Sequence, residues 1–253
     1  MKGRLENKVA LITGGGSGLG KAAAIAFAKE GAKIVVGHVS EGTGEKTVSI
    51  IKENGGEAVS IRADVSKSSE VQAMVQKAVE TYGRLDCAYN NAGVAAPPKL
   101  TPETTEEDWD RVISINLKGV WLSMKYEIPE MLKQKTGAIV NASSMLGLIG
   151  LAKRAPYAAS KHGIIGLTKV AALEYAEAGI RVNALCPAVV RTPIVESIIA
   201  SDPQAEAKLM SMIPMGRLGT LDEMAEAVVW LCSDASSYVT GHSLSVDGGA
   251  VAQ

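Results

Sequence analysis

Tyr157 and Lys161 stand four residues apart, with two serines upstream at Ser143 and Ser144. Pro156 suits the first turn of a helix, so the phenol and the ammonium are predicted to share one helical face. A cation held beside a phenol favours the phenolate and pulls its pKa down from about 10. Tyr157 is therefore a candidate proton donor and acceptor near neutral pH. Ser144 follows the apolar run Ala138–Val140, which reads as a buried strand, and is expected near that strand's carboxyl end.

A second set of residues suits a phosphate. Val9–Thr13 reads as a buried strand and runs directly into Gly14-Gly15-Gly16-Ser17-Gly18-Leu19-Gly20, with a helix beginning near Leu19. Glycines let the chain turn tightly and let backbone N–H groups approach a pyrophosphate, which a helix N-terminus then stabilises. The spacing is Gly-x-x-x-Gly-x-Gly rather than G-x-G-x-x-G, and the lysine of an ATP-hydrolysing loop is missing.

The elements that must carry these groups follow from hydrophobic patterning. Strand-like runs at Val9–Ile12, Lys33–Val36, Ala58–Ile61, Leu85–Tyr89, Ala138–Val140, Ile180–Leu185 and Ser243–Val246 alternate with helical stretches. Those stretches begin near Leu19, Gly42, Lys67, Thr105, Pro156 and Leu221. Such alternation predicts α/β architecture: a doubly wound, parallel seven-stranded sheet with helices on both faces. One domain over residues 1–253 is expected, because no linker or repeat divides the chain. The longest strand-free segment, about 188–219, contains Pro193, Pro203 and Pro214 among apolar residues. It is read as a substrate lid, with a plain surface excursion as the alternative.

Composition narrows the function classes. The 253 residues are 47% hydrophobic with a net charge of −1, which suits a full core and argues against nucleic acid or an anionic membrane as partner. No apolar stretch approaches a membrane span, and the N-terminus is no signal peptide. Cys87, Cys186 and Cys232 are scattered and expected to be buried thiols, as in a cytoplasmic enzyme. His38, His162 and His242 form no ligand-like cluster, so no metal is expected in the chemistry.

Together the motifs carry a resemblance. Thr13-Gly14-x-x-x-Gly18-x-Gly20, Asn90-Asn91-Ala92-Gly93, Asn116, Ser144 with Tyr157-x-x-x-Lys161, Pro187 with Thr192, and Val246-Asp247-Gly248-Gly249 resemble the short-chain dehydrogenase/reductase family. They match the order and spacing of its single-domain branch over essentially the whole chain. The resemblance implies a Rossmann fold, an NAD(P) cofactor, and hydride transfer to or from a carbonyl or secondary alcohol. It implies that Gly14, Ser17, Gly18, Leu19 and Gly20 hold the dinucleotide, and that Asn91, Ala92 and Gly93 frame its adenine-ribose side. Asp64 would accept from the adenine amino group with Val65 against the ring, although Asp64 also reads as a helix N-cap. Pro187, Val190 and Thr192 would fix the nicotinamide carboxamide, with Ala188 where the family usually has glycine.

For catalysis the resemblance implies Tyr157 as proton donor, Lys161 as the cation tuning it and bonding the ribose, and Ser144 as the group polarising the substrate oxygen. Ser143 is the rival; Ser144 is preferred because it stands thirteen residues before Tyr157, as in the family. Asn116 would link Lys161 to solvent through a water. Gln253 resembles the end of some tetrameric relatives that bind a structural Mg²⁺. The helices around Ile113–Met124 and Ile164–Leu173 are apolar on more than one face, which suggests a helix-to-helix dimer interface, and the resemblance implies a homotetramer built on it.

Two choices depend on fewer residues. The second strand should end beside the adenosine ribose, where an acid selects NAD. His38 stands there instead, which favours NADP over NAD. The basic residues that NADP relatives carry are missing, with Ser17 and Val39 in their places, so His38 or Ser40 would supply the hydrogen bond. The substrate wall of Met145, Leu146, Leu148, Ile149, Leu151 and Val189 suits a small, mostly apolar, even cyclic carbonyl compound. Lys153 and Arg154 would either meet an acidic group or lie in an exposed loop. A 3-oxoacyl-carrier-protein reductase and a non-catalytic dinucleotide sensor are the alternatives.

Overall fold

The computed structural model describes residues 3–202 and 204–252. The expectations on Pro203 and on Gln253 with its Mg²⁺ lie outside these residues. Seven strands form one sheet: β1 (Val9–Ile12), β2 (Lys33–His38), β3 (Ala58–Arg62), β4 (Cys87–Asn90), β5 (Gly137–Ala142), β6 (Ile180–Pro187) and β7 (Ser243–Val246). All neighbours pair parallel in the order β3-β2-β1-β4-β5-β6-β7. The order reverses between β1 and β4, and the crevice at the strands' carboxyl ends there is where such sheets bind ligands.

The helices are α1 (Gly18–Lys29), α2 (Thr43–Glu53), α3 (Ser68–Tyr82), α4 (Glu106–Val112), α5 (Gly119–Gln134), α6 (Ala155–Tyr175), α7 (Pro193–Ser201), α8 (Ala205–Met210) and α9 (Leu221–Cys232). Strand side chains alternate between faces, and the core divides accordingly. Ala10 and Ile12 of β1 pack with α1, α2 and α9, whereas Val9 and Leu11 pack with α3, α5 and α6. Burial on both faces explains why the strands read as continuous apolar runs.

Three local features differ from the sequence expectation. The β4 ladder begins at Cys87, two residues late, because Leu85 is buried beside a turn in which Arg84 and Asp86 bond each other and Asp86 accepts from the Val9 N–H. Between α4 and α5 the helix widens into a π turn over Ile113–Lys118. The strand-free segment carries α7 and α8, tied together by Arg191, which bonds Glu196 of α7 at 2.9 Å and Glu206 of α8. Among the described residues no helix is long and apolar enough to cross a membrane.

Candidate active site

The glycine turn is built for close backbone approach. Gly14 has φ +65°, a left-handed conformation that favours glycine. A Cβ on Gly20 would collide with the Gly14 carbonyl and lie 2.6 Å from Asn91 Nδ2. Asn91 closes the turn from β4, donating from Nδ2 to the Thr13 carbonyl at 3.1 Å, while its own N–H donates to Thr13 Oγ1 at 2.9 Å. Ser17 precedes α1 without capping it through its side chain. Among the described residues no side chain accepts from the first N–H groups of that helix, and their positive end suits a phosphate.

This turn forms one wall of a cleft of about 540 Å³ over the strands' carboxyl ends. Gly14, Ser17, Gly18, Leu19, His38, Asp64, Val65, Asn91, Ala92, Gly93, Tyr157, Lys161, Pro187 and Thr192 all line it. The cleft's length from the glycine turn to Lys161 and its bare helix N-terminus fit a dinucleotide. Gly20, Ser40, Asn116, Ser144 and Val190 are not among the lining residues. Gly20 is buried under Gly14, and Val190 packs into the core and pairs with Gly219. Tyr89, Ile115 and Ala142 line the cleft although the sequence did not single them out. Ile115 carried a signal only as the neighbour of Asn116.

Ser144 and Ser143 follow β5, and their hydroxyls have different partners. Ser143 lines the cleft, and its Oγ donates to the Lys161 carbonyl at 3.0 Å. Ser144 Oγ accepts from the Leu146 N–H at 3.1 Å and faces the Tyr157 phenol, whose pKa it pulls down. Tyr157 and Lys161 both rise from α6, started by Pro156 in its first turn. Lys161 is 4% exposed, and its Nζ donates to the Ala142 carbonyl at 2.6 Å while lying 5.4 Å from the centre of the Tyr157 ring.

The electrostatics correct one expectation. Burial pushes the Tyr157 phenol above its ordinary pKa, against a hydrogen bond with Ser144 and the positive charge of Arg154, which pull it down. Lys161 is not what depresses it here, because burial lowers the ammonium itself to about 8 and its proton is directed at Ala142. Removing two groups from water together costs their charged forms more than the contact between them returns.

Asn116 is fully buried in the π turn. Its Oδ1 accepts from the Val94 N–H at 2.8 Å, and its Nδ2 donates to the Val94 carbonyl at 2.9 Å and to Ser160 Oγ at 3.3 Å. It braces the loop after Gly93 against α6 rather than touching Lys161 directly. Asp64 does not cap α3, whose N-cap is Lys67; one carboxylate oxygen instead accepts from the Ser66 N–H and Oγ at 2.9 and 2.7 Å. His38 is 3% exposed, its ring pressed against Gly44, where a Cβ would overlap it. Its Nδ1 faces the Ser40 carbonyl at 2.9 Å and its Nε2 faces Glu45 Oε1 at 3.3 Å.

A cavity of similar size, about 530 Å³, opens at the opposite ends of β4, β5 and β6 around Arg181. That guanidinium donates from its two terminal nitrogens to the Leu231, Ser233 and Val239 carbonyls and to Ser236 Oγ, which makes it a brace between β6 and the segment after α9.

Comparison with known proteins agrees with the geometry. A family model described as Enoyl-(Acyl carrier protein) reductase, of the short-chain dehydrogenase type, matches residues 14–251. The chain belongs to the short-chain dehydrogenase/reductase family. Among its relatives, a cyclohexanol dehydrogenase of Acinetobacter sp. is 43% identical over 98% of this chain and 96% of its own. A 3-oxoacyl-[acyl-carrier-protein] reductase of Thermotoga maritima is also 43% identical, over 98% and 99%. The crystal structure of levodione reductase superposes with a TM-score of 0.92 at 38% identity, covering 97% of this chain and 98% of that one. A putative 2-deoxy-d-gluconate 3-dehydrogenase from Agrobacterium tumefaciens, solved with bound NADP, gives 0.90 at 34% identity, covering 98% of both. As a short-chain dehydrogenase/reductase, the protein is an oxidoreductase of alcohol and carbonyl groups that works with NAD(P).

Proposed function

We propose that the protein reduces a small, mostly apolar ketone, or oxidises the matching secondary alcohol, with NADP preferred over NAD. The observation that carries this reading is the meeting of Ser144, Tyr157 and Lys161 at the carboxyl end of β5, beside the cleft that the glycine turn opens. A bound nicotinamide dinucleotide supplies the hydride to the carbonyl carbon, or takes it back. Ser144 Oγ donates a hydrogen bond to the carbonyl oxygen and holds it beside the phenol. Tyr157 Oη gives that oxygen its proton during reduction and recovers it during oxidation. Ser144 and the positive charge of Arg154 favour the phenolate left behind, and Lys161, charged below about pH 8, is held at the same end of the cleft to bond the nicotinamide ribose.

The apolar substrate class is supported by Ile194, which lines the cleft and is 75% exposed, and by the exposed apolar residues Leu148, Ile149 and Leu151 on the segment between Ser144 and Tyr157. It is also supported by the names of relatives that act on cyclic alcohols and diketones. Helix α7 has no buried residue, which suits a lid whose apolar side closes over a ligand. NADP is supported by the neighbour solved with that cofactor and by the lack of an acid at position 38. A homotetramer is supported by Trp121, Val170 and Leu173 on the outer faces of α5 and α6, and a cytoplasmic location by three buried free thiols.

A carrier-protein reductase is the second reading. Arg111 and Arg154, whose guanidinium groups rest on the Ala95 and Ala96 carbonyls at the mouth, would meet an acidic carrier. Assaying ketones, secondary alcohols and 3-oxoacyl thioesters with both cofactors decides the matter. Turnover of free ketones abolished by Tyr157→Phe supports the first reading. Turnover of thioesters alone moves the assignment to the second, and turnover of neither ends both.

A further inference from the structure

We propose that Arg62, at the carboxyl end of β3, reads the 2′-phosphate of the dinucleotide, a task that the residues at positions 17 and 39 cannot perform. Within the cleft wall, Ser17 and Val39 carry no charge. His38 lines the cleft, but its ring nitrogens are engaged: the ring lies under Gly44 with Nδ1 on the Ser40 carbonyl and Nε2 towards Glu45. The neighbouring strand supplies what is missing. In the β2–β3 ladder His38 stands opposite Arg62, an exposed residue that directly precedes the cleft residues Ala63 and Asp64 without itself lining the cleft wall.

One bond holds it there. Arg62 Nε donates to the Val39 carbonyl at 3.2 Å, which lays the side chain across the residue that lines the cleft. Anchoring through Nε leaves both terminal nitrogens, the pair that grips a phosphate in parallel, free to face outward. Among the described residues Arg62 has no carboxylate within ion-pair distance, whereas Arg4, Arg84, Arg191 and Arg217 each have one. Glu45, on the helix after β2, is already occupied: it faces His38 and accepts from Ser60 Oγ at 3.4 Å.

The inference rests on the dinucleotide cleft proposed above, and the test separates the two. Calorimetric binding of adenosine 2′,5′-bisphosphate and of 5′-AMP to the wild type, Arg62→Gln and Arg62→Glu needs no substrate and no turnover. The wild type is expected to hold the bisphosphate about tenfold or more tightly than 5′-AMP, as charge-assisted phosphate bonds do. Arg62→Gln should bring the two affinities together by weakening the bisphosphate alone, and Arg62→Glu should reverse their order. Equal affinities in the wild type, or an unchanged preference in Arg62→Gln, overturn the role of Arg62 and leave the cleft intact. Failure of both nucleotides to bind the wild type overturns the cleft as well.

Discussion

Lys161 Nζ rests on the carbonyl oxygen of Ala142, 2.6 Å away, so the last residue of β5 holds the ammonium that would serve Tyr157. The seat fixes where the cation sits while leaving its other protons uncommitted. Loss of the phenol should therefore stop proton transfer and leave nucleotide binding in place. Tyr157→Phe is expected to lower kcat by about 10³-fold or more, within the range for a positioned acid and base. Calorimetric affinity for the dinucleotide should stay within about threefold of wild type if that cleft contact is minor.

The two serines make opposite predictions because their hydroxyls have different partners. Ser144→Ala is expected to cost about 10²-fold in kcat by removing the donor to the substrate oxygen. Ser143→Ala should instead cost about 1 kcal/mol of stability with kcat little changed, since its hydroxyl serves the Lys161 carbonyl. Steady-state kinetics beside denaturant melts of both variants read the difference. A larger kcat loss in Ser143→Ala would reverse the assignment.

Glu127 lies fully buried on α5, where burial raises its carboxyl from 4.5 to about 8 against a hydrogen bond from Asn90 Nδ2. The folded protein therefore keeps a proton that the unfolded chain releases. The stabilisation is full below about pH 4.5 and is lost as pH rises towards about 8. Glu127→Gln holds the neutral form at every pH and should flatten that part of the curve. Thermal melts of both proteins across this window measure it; parallel curves would show that Glu127 does not titrate there.

Gly20→Ala places a methyl group against the Gly14 carbonyl and Asn91 Nδ2. Overpacking of this kind typically costs about 1–3 kcal/mol. Because the displaced backbone is the turn itself, 5′-AMP affinity should fall together with the melting temperature. A stable variant with full affinity would show that the turn relaxes without consequence.

His38→Asp puts a carboxylate at the end of β2, where it would bond the ribose hydroxyls and repel a 2′-phosphate. The ratio of kcat/KM for NAD to that for NADP is expected to rise. An unchanged ratio would remove position 38 from cofactor choice and leave Arg62 as the discriminating residue.

The fold was largely readable because parallel strands buried on both faces leave continuous apolar runs, as at Val9–Ile12 and Ile180–Leu185. What escaped the sequence depends on contacts far apart in the chain. His38 reads as a free ribose ligand until α2 brings Gly44 onto its ring. Lys161 reads as a partner of Tyr157 because the two share a helix, yet the Ala142 carbonyl that claims its proton lies nineteen residues earlier. Arg62 is an ordinary exposed arginine in sequence, and only the β2–β3 register sets it opposite His38. Helices α7 and α8 were hidden among prolines, and their tie through Arg191 needs the segment to double back.

The π turn at Ile113–Lys118 limits how chain length can change in this part of the molecule. A π turn holds one residue more than an α turn over the same span, so losing one residue there can leave the faces of α4 and α5 aligned. Farther along α5 there is no such slack: each helical residue advances the chain by about 100° around its axis, and one lost between Gly119 and Glu127 would turn Glu127 away from Asn90. The surplus residue therefore makes this one turn the place where the helix tolerates a single-codon loss.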